Sequence, residues 1–140
     1  MPLSLTRTVT FRATHRVALS RLSDEENRTR FGWTAERPGH EHEYRCAVTV
    51  GGAPDPSTGM LLDLALLDRV LAEVVTGPLD GRNLNEVVPP VAQGLTLATC
   101  EALAAWLYSE IAVRLPAPLV LLRVRLAEDT TLHADCTGTS

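Results

Sequence analysis

The sequence contains no lysine, so its 13 basic residues are all arginines, and 17 acidic residues oppose them. The resulting net charge of -4 leaves no basic surplus to neutralise nucleic-acid phosphates. No apolar run approaches the roughly 20 residues that a membrane-spanning helix needs. The first ten residues alternate where a secretory signal would be continuously apolar. These features argue against nucleic-acid binding and membrane insertion, and they favour a cytoplasmic protein.

Cysteine is scarce: Cys46, Cys100 and Cys136 are an odd set of three without C-x-x-C spacing. This usage fits a reducing compartment and argues against both a disulfide framework and a thiolate zinc site. A metal would therefore have to be held by histidine and carboxylate side chains. With 45% hydrophobic and 21% charged residues, the chain is predicted to form one globular domain over residues 1–140.

Two strands are predicted in the first third of the chain. Residues 3–15 alternate between an apolar and a polar face, and the apolar face ends on His15. A second strand begins near His40, and its apolar face carries both His40 and His42 before Tyr44. The intervening residues 19–39 are charged and lack a period, which predicts a long functional loop.

Two helices are predicted in the middle of the chain. Asp63 is expected to cap the first, which Gly77 and Pro78 would end. Thr99 is expected to cap the second, which Pro116 would stop, and residues 79–96 are predicted to be a polar connection between them.

Two further strands are predicted at the end of the chain. From Leu119 onward, alternation predicts a strand with these residues facing inward: Val120, Leu122, Val124, Leu126 and Glu128. A short last strand places Ala134 and Cys136 on one face and His133 on the other. The order ββααββ predicts an α+β fold in which two helices cover one face of a four-stranded antiparallel sheet.

Three of the four histidines, His15, His40 and His42, lie at the ends of strands that are expected to be antiparallel neighbours. Side chains repeat every two residues along a strand, so both rings of the His-x-His pair project from one face and His15 can complete a tripod. Three neutral imidazoles around Zn²⁺ leave a fourth position open, as in catalytic zinc sites. The alternative is that these are ordinary strand-end histidines. A cupin is disfavoured because residues 45–49 contain no glutamate and two helices are predicted.

Glu128 ends the apolar face of the last long strand, where an ionised carboxylate needs a partner. One possibility is a rim residue paired with an arginine or with water. The other is an acceptor for a flat ligand edge that carries two N–H donors.

Several spaced motifs together resemble the 6-pyruvoyl-tetrahydropterin synthase and 6-carboxy-tetrahydropterin synthase family, and they cover nearly the whole chain. In order, they are Phe11-x-Ala13-x-His15, Gly39-His40-x-His42-x-Tyr44, Asp55-Pro56-x-Thr58-Gly59-Met60-x-x-Asp63, Leu79-Asp80 with Leu84-Asn85, Thr99-x-Glu101-x-Leu103-Ala104-x-Trp106, and Glu128.

The resemblance implies the tunnelling fold, in which subunits join edge to edge into a barrel, commonly as a hexamer of two stacked trimers. It implies zinc bound by the residues His15, His40 and His42. It also implies a pterin ring anchored by Glu128, helped by Thr99 and Glu101 of a neighbouring subunit. The implied substrate is 7,8-dihydroneopterin triphosphate, from which triphosphate or a carbon fragment is lost, as in queuosine or folate biosynthesis.

The chain departs from the family pattern at the proton relay. The usual catalytic cysteine, four or six residues before His40, is replaced by Glu36 or Thr34, and the usual Asp-His pair reads Asp80-Gly81. Glu36 resembles the glutamate of a family branch that forms 6-hydroxymethyl-dihydropterin.

Three hypotheses follow from these departures. The first is a zinc-dependent synthase or lyase with Glu36 as the base and Asp80 in a reduced role. The second is a pterin-binding protein without catalysis. The third is an enzyme for another pterin-like or purine-like substrate.

Overall fold

The computed structural model describes residues 3–138, which form a five-stranded sheet with helices packed against it. The strands lie in the order β3-β1-β2-β4-β5. The strands are β1 (Leu3–His15), β2 (His40–Gly52), β3 (Arg82–Asn83), β4 (Val120–Ala127) and β5 (His133–Cys136). The α-helices are α1 (Asp24–Phe31), α2 (Leu64–Leu71), α3 (Gly77–Leu79), α4 (Leu84–Val87), α5 (Pro89–Ala92) and α6 (Cys100–Ala112).

The predicted α+β class is confirmed, but the prediction of four antiparallel strands is wrong in strand count and order. The additional strand, β3, pairs in parallel with Ala13 and Thr14 of β1. It lies within residues 79–96, which were predicted to be a polar connection and which also contain α4 and α5. A two-residue strand has no measurable alternation, so periodicity cannot reveal it.

β1 and β2 are the long central pair that positions the histidines. Both strands have 13 residues, and their antiparallel register runs from Leu3 opposite Gly52 to His15 opposite His40. One face of this pair is buried under the helices, with Phe11, Ala13 and Tyr44 in the core. Because the same face continues to the strand ends, the histidines lie where the core meets the rim.

The two long helices begin where the sequence predicts. The Asp63 side chain accepts a hydrogen bond from the Ala65 N–H at 3.0 Å, and Thr99 accepts one from the Ala102 N–H at 3.3 Å. The prediction that Gly77 and Pro78 end the first helix is wrong. The helix continues as a π-helical turn over Ala72–Thr76, and α3 follows with Pro78 in its first turn. A proline is tolerated in the first turn of a helix because the N–H groups there need no partner within the helix. Across residues 3–138, no helix is both long and apolar enough to cross a bilayer.

At the start of β4, the predicted inward face is wrong. Val120 and Leu122 are 54% and 42% exposed, whereas Leu121 is 6% exposed and lies in the core. Val50 pairs with Leu121 while Thr49 pairs with Arg123, so β4 carries one extra residue. A β-bulge of this kind shifts the alternation of inward and outward side chains by one residue. Strict alternation therefore predicts the wrong face for the residues of β4 that precede the bulge.

Residues 19–39 are not the irregular loop that was predicted, because they contain α1 and a 3-10 helix (Gly32–Ala35). Ser23 and Glu26 form a reciprocal capping box at the start of α1. The buried Asn27 amide accepts from the Leu19 N–H at 2.8 Å and donates to the Leu19 carbonyl at 3.0 Å. α1 is therefore stabilised by its capping box and by the buried Asn27 amide, and it has no apolar face. For this reason the sequence of α1 shows no helical hydrophobic period.

Candidate metal centre

Three imidazoles converge at one end of the β1–β2 pair. His15 lies opposite His40, and Ala13 lies opposite His42, so the register places all three rings on one face. One ligand nitrogen from each ring lies within 4.8 Å of the other two. The ring centroids are 4.6 to 5.1 Å apart, and the rings meet edge to face. The tripod predicted from strand parity is therefore present as a geometric cluster.

Gly39 allows β2 to enter this cluster close to the end of β1. Its φ is +106°, and a Cβ added there would lie 2.7 Å from the carbonyl oxygen of His15. Any other residue would combine a disfavoured backbone conformation with a clash against backbone. The glycine before His40 thus keeps the two strand ends in contact.

The buried ring of His15 is held in one tautomer. Its side chain is 3% exposed, and Nδ1–H donates to the Ala98 carbonyl at 2.7 Å. Burial, together with the nearby His40 and His42, lowers the pKa of His15 to about 4. Burial also lowers the pKa of His40. His15 is therefore neutral at pH 7, and its Nε2 is free to act as a ligand.

The donor set fits a divalent metal ion. Among residues 3–138, the buried Nε2 atoms of His15 and His42 have no hydrogen-bond partner. Buried polar atoms without partners are unusual and call for an explanation, such as a bound ion. Three neutral imidazoles are a common donor set for Zn²⁺, and the second ring nitrogen of His15 is already oriented by a backbone carbonyl.

Glu128 follows directly after β4, and its carboxylate lies beside two of the histidines. Its Oε2 atom is 3.4 Å from Nε2 of His42 and 3.6 Å from Nε2 of His15. The side chain is only 16% exposed, and burial raises the pKa of Glu128 while the charge of His42 opposes that rise. The carboxylate expected to anchor a ligand thus lies next to the three imidazoles.

The start of α6 lies against Glu128 within the same chain. Thr99 caps the helix, and the exposed Glu101 is close enough that its charge raises the pKa of Glu128. The resemblance implied that Thr99 and Glu101 act from a neighbouring subunit, and that role stays a prediction.

Glu36 lies outside the three-histidine group. Its carboxylate is 3.5 Å from Nε of Arg28, and both side chains are more than half exposed. The group of His, Cys, Asp and Glu ligand atoms found within residues 3–138 contains only the three histidines. In this conformation, the residue at the expected position of the base faces solvent and an arginine.

Asp80 binds the backbone of β1. Its Oδ1 accepts the Arg12 N–H at 2.9 Å, and the Gly81 N–H donates to the Arg12 carbonyl at 2.6 Å. Gly81 has a φ of +73°, which a histidine would adopt only with strain. The Asp80-Gly81 pair therefore completes the edge of β1, and its visible role is structural.

Two aromatic residues at the site were not predicted. The Tyr44 hydroxyl is buried without a hydrogen-bond partner among the described residues, and its ring is 5.6 Å from that of His42. The Trp33 ring is 4.9 Å from that of His40 and is 67% exposed. Tyr44 could have been found from the sequence, since it shares a strand face with both histidines. Trp33 lies in the segment predicted to be a loop, where no strand alternation indicates that it is near the histidines.

Cys100 lies near Glu128 but is not an activated thiol. Burial and the charge of Glu128 raise its pKa to about 12, and burial raises that of Cys46 to about 12. At about pH 8, iodoacetamide should therefore modify the partly exposed Cys136 and spare Cys46 and Cys100 until the protein unfolds. Peptide mass spectrometry would measure this order. Rapid labelling of Cys100 in the folded protein would contradict the expectation.

Asn85 fixes the residue that follows His15. Its side chain accepts the Arg16 N–H at 2.9 Å and donates to the Arg16 carbonyl at 3.0 Å. Asn85→Ala should lower the free energy of unfolding by about 2 kcal/mol, because two partly buried backbone groups lose their partner. Urea unfolding would measure it, with the exposed Gln93→Ala as a control that should leave stability unchanged. Equal midpoints for the two variants would show that water replaces the amide at no cost.

Comparisons with known proteins agree in one family. The model of the 6-pyruvoyl tetrahydropterin synthase family matches residues 4–139. A 6-pyruvoyl tetrahydrobiopterin synthase of Poecilia reticulata is 42% identical over 115 residues, which are 82% of this chain and 77% of that protein. The Homo sapiens 6-pyruvoyl tetrahydrobiopterin synthase is 38% identical over 124 residues, covering 89% and 83%. The structure of Caenorhabditis elegans 6-pyruvoyl tetrahydropterin synthase matches with a TM-score of 0.90 and 30% identity, covering 99% of this chain and 97% of that one.

Proposed function

Because the chain belongs to the 6-pyruvoyl tetrahydropterin synthase family, we propose that it is a zinc-dependent pterin synthase or lyase whose metal is held by His15, His40 and His42. The proposed substrate is 7,8-dihydroneopterin triphosphate or a related pterin. The observation that carries this proposal is the three-imidazole cluster, in which Nε2 of His15 and Nε2 of His42 have no hydrogen-bond partner among the described residues, beside the mostly buried carboxylate of Glu128. When bound, the metal supplies Lewis acidity that polarises a side-chain hydroxyl or carbonyl and acidifies the adjacent C–H.

The carboxylate of Glu128 is the proposed anchor for the pterin ring. The ring presents adjacent N–H donors on one edge, which two carboxylate oxygens can accept side by side. Oε2 of Glu128 lies 3.4 Å from Nε2 of His42 and 3.6 Å from Nε2 of His15, so a ring held there is beside the three imidazoles. Thr99 and Glu101 at the start of α6 are proposed to line the same ring-binding site.

Glu36 is the proposed general base. Structures of Plasmodium vivax 6-pyruvoyltetrahydropterin synthase include variants in which a glutamate described as the catalytic residue is replaced by cysteine or by alanine. That protein is only 11% identical to this chain, so it offers a precedent for a glutamate base and no residue assignment. To act here, Glu36 must leave Arg28. The ion pair is solvent exposed, so breaking it costs about 1 kcal/mol or less.

The test combines zinc content with turnover of 7,8-dihydroneopterin triphosphate. We expect about one zinc per chain, and we expect Glu36→Ala to lower kcat by ~100-fold or more with zinc retained. Glu25→Ala removes another exposed carboxylate from the same segment and should leave turnover unchanged. Full zinc occupancy with no product, or a Glu36→Ala variant with wild-type kcat, would reject the catalytic assignment. Product analysis would distinguish a tetrahydropterin product from 6-hydroxymethyl-dihydropterin.

The second candidate is a pterin-binding protein that does not convert its ligand. It is favoured by Gly81 in place of the family histidine and by the ion pair that holds Glu36 with Arg28. Calorimetry with a pterin would show binding without product in that case. Absence of any pterin binding would reject both candidates. Turnover of a purine-like compound alone would support an enzyme for a different substrate.

The same proposal includes a homo-hexamer that assembles through sheet edges. Within the described residues, β3 covers only Ala13 and Thr14, so residues 3–11 of β1 have backbone groups at an unpaired edge. Long unpaired edges are usually covered in native proteins. Light scattering should give about six times the mass of the 15.2 kDa chain, and a monomer at micromolar concentration would reject the assembly.

A further inference from the structure

The ring of His40 has no hydrogen bond that fixes its orientation. The ring of His15, by contrast, donates from Nδ1 to the Ala98 carbonyl at 2.7 Å. Within the described residues, the His40 ring instead packs against three other rings, those of His15, His42 and Trp33. Metal-binding histidines usually donate their second ring N–H to a neighbouring acceptor, which orients the ring. A contact other than a hydrogen bond must therefore orient His40.

Trp33 is the only one of these rings that is not itself a candidate ligand. Its centroid is 4.9 Å from that of His40, and the two ring planes are tilted by 53°. Trp33 lies in the 3-10 helix Gly32–Ala35, where the carbonyl of Thr34 accepts the Val17 N–H at 2.8 Å. Because Val17 follows shortly after the end of β1, this hydrogen bond fixes the backbone that carries the indole relative to the histidine cluster.

The indole ring contributes little to the hydrophobic core. Trp33 is 67% exposed, whereas Phe11 and Tyr44 are 3% and 0% exposed. Every other aromatic residue of the chain is buried or half-buried. Aromatic rings prefer offset or tilted contacts of the kind seen between Trp33 and His40. The ring contact that Trp33 makes is thus with a candidate metal ligand and not with the core.

We propose that Trp33 is a positioning residue of the metal centre, whose indole ring holds His40 in the orientation that points a ring nitrogen at the site shared with His15 and His42. This inference rests on the proposed metal site and adds a residue that is not a ligand. Without the indole, the half-buried ring of His40 would rotate more freely, and metal binding would have to restrict that rotation at a cost in affinity. Packing against Trp33 restricts the rotation before the metal binds.

The test compares the zinc affinities of variants by competition with a chromophoric chelator. Trp33→Ala should lower the affinity about tenfold, as expected for the loss of a group that orients a metal-binding histidine. Trp33→Phe keeps a flat ring at the same position and should stay within about threefold of the wild type. Val113→Ala is the control, because it truncates another exposed apolar side chain at the end of α6 and should leave the affinity unchanged.

A double-mutant cycle shows whether Trp33 acts through His40. In a His40→Ala background there is no imidazole left to position, so adding Trp33→Ala should cause no further loss of zinc affinity. A residue that only stabilised the fold would lower the affinity by the same factor in both backgrounds. The cycle therefore separates a positioning role from a general structural one.

Fluorescence gives a second and independent readout. The chain has two tryptophans, so Trp106→Phe leaves Trp33 as its only indole. Co²⁺ quenches indoles that lie close to it, so one equivalent should remove most of the Trp33 emission. Zn²⁺ does not quench in this way and should leave most of the emission in place.

The outcomes separate this inference from the metal-site proposal. Trp33 does not position His40, and the three-histidine site stands, if Trp33→Ala binds zinc as tightly as the wild type. The same conclusion follows if the phenylalanine and alanine variants lose affinity equally, or if the loss persists in the His40→Ala background. If the wild type does not bind zinc stoichiometrically, or if Co²⁺ binds without quenching Trp33, the metal is not held at this cluster and both proposals fall.

Discussion

Replacing His42 by alanine should reduce zinc affinity by ~100-fold or more, because it removes one of the three proposed donors. The Nε2 atom of His42 is buried without a hydrogen-bond partner among the described residues, and it belongs to the group whose ligand atoms lie within 4.8 Å of one another. The alanine leaves two imidazoles, which cannot enclose the ion. Competition with a chromophoric chelator would measure the change.

His133→Ala is the control for this experiment. His133 begins β5 on an exposed face and does not belong to the three-histidine group. Its removal should leave zinc affinity unchanged, while circular dichroism checks that both variants are folded. If both variants keep the zinc affinity of the wild type, the cluster is not the metal site. If both variants lose zinc affinity to the same extent, His133 contributes to zinc binding as much as His42 does, and the three-histidine assignment is wrong.

The position of the three histidines could be predicted from the sequence because it depends only on strand parity. His15 ends one alternating segment, and His40 and His42 begin another, so antiparallel pairing of the two segments brings them to the same rim. The spaced motifs predicted the family, and the family match confirms it. Parity also placed Glu128 at the end of the buried face of its strand, although the contact of its carboxylate with His15 and His42 depends on tertiary structure.

The failed predictions have a common physical cause: the segments concerned are shaped by local contacts that leave no hydrophobic period in the sequence. The bulge at Leu122 reverses the alternation of β4, and nothing in the apolar run Leu119–Leu122 marks its position. The helix α1 depends on the Ser23–Glu26 capping box and the buried Asn27. The ion pair of Glu36 with Arg28 and the hydrogen bond of Asp80 to the Arg12 backbone are contacts that a motif alone does not reveal, and the catalytic roles of Glu36 and Asp80 stay predictions.

Leu107→Ala should lower the free energy of unfolding by about 2–5 kcal/mol, the range for truncating a fully buried leucine. Leu107 is 0% exposed on α6, in the core between that helix and the sheet. The start of the same helix follows Ala98, whose carbonyl accepts the hydrogen bond of His15, so α6 is connected to the histidine cluster. Urea unfolding of the metal-free protein would measure the loss.

Leu95→Ala provides the comparison, since Leu95 is 75% exposed and its truncation removes little buried surface. It should change the free energy of unfolding by about 0.5 kcal/mol or less. At urea concentrations below its unfolding midpoint, Leu107→Ala should still bind zinc, because the three proposed donors come from β1 and β2. Zinc should then raise its unfolding free energy by about 2.7 kcal/mol at a free concentration of 100 Kd. A Leu107→Ala protein that is folded but no longer stabilised by zinc would instead show that the packing of α6 sets the geometry of the metal centre, and that the paired strands alone do not.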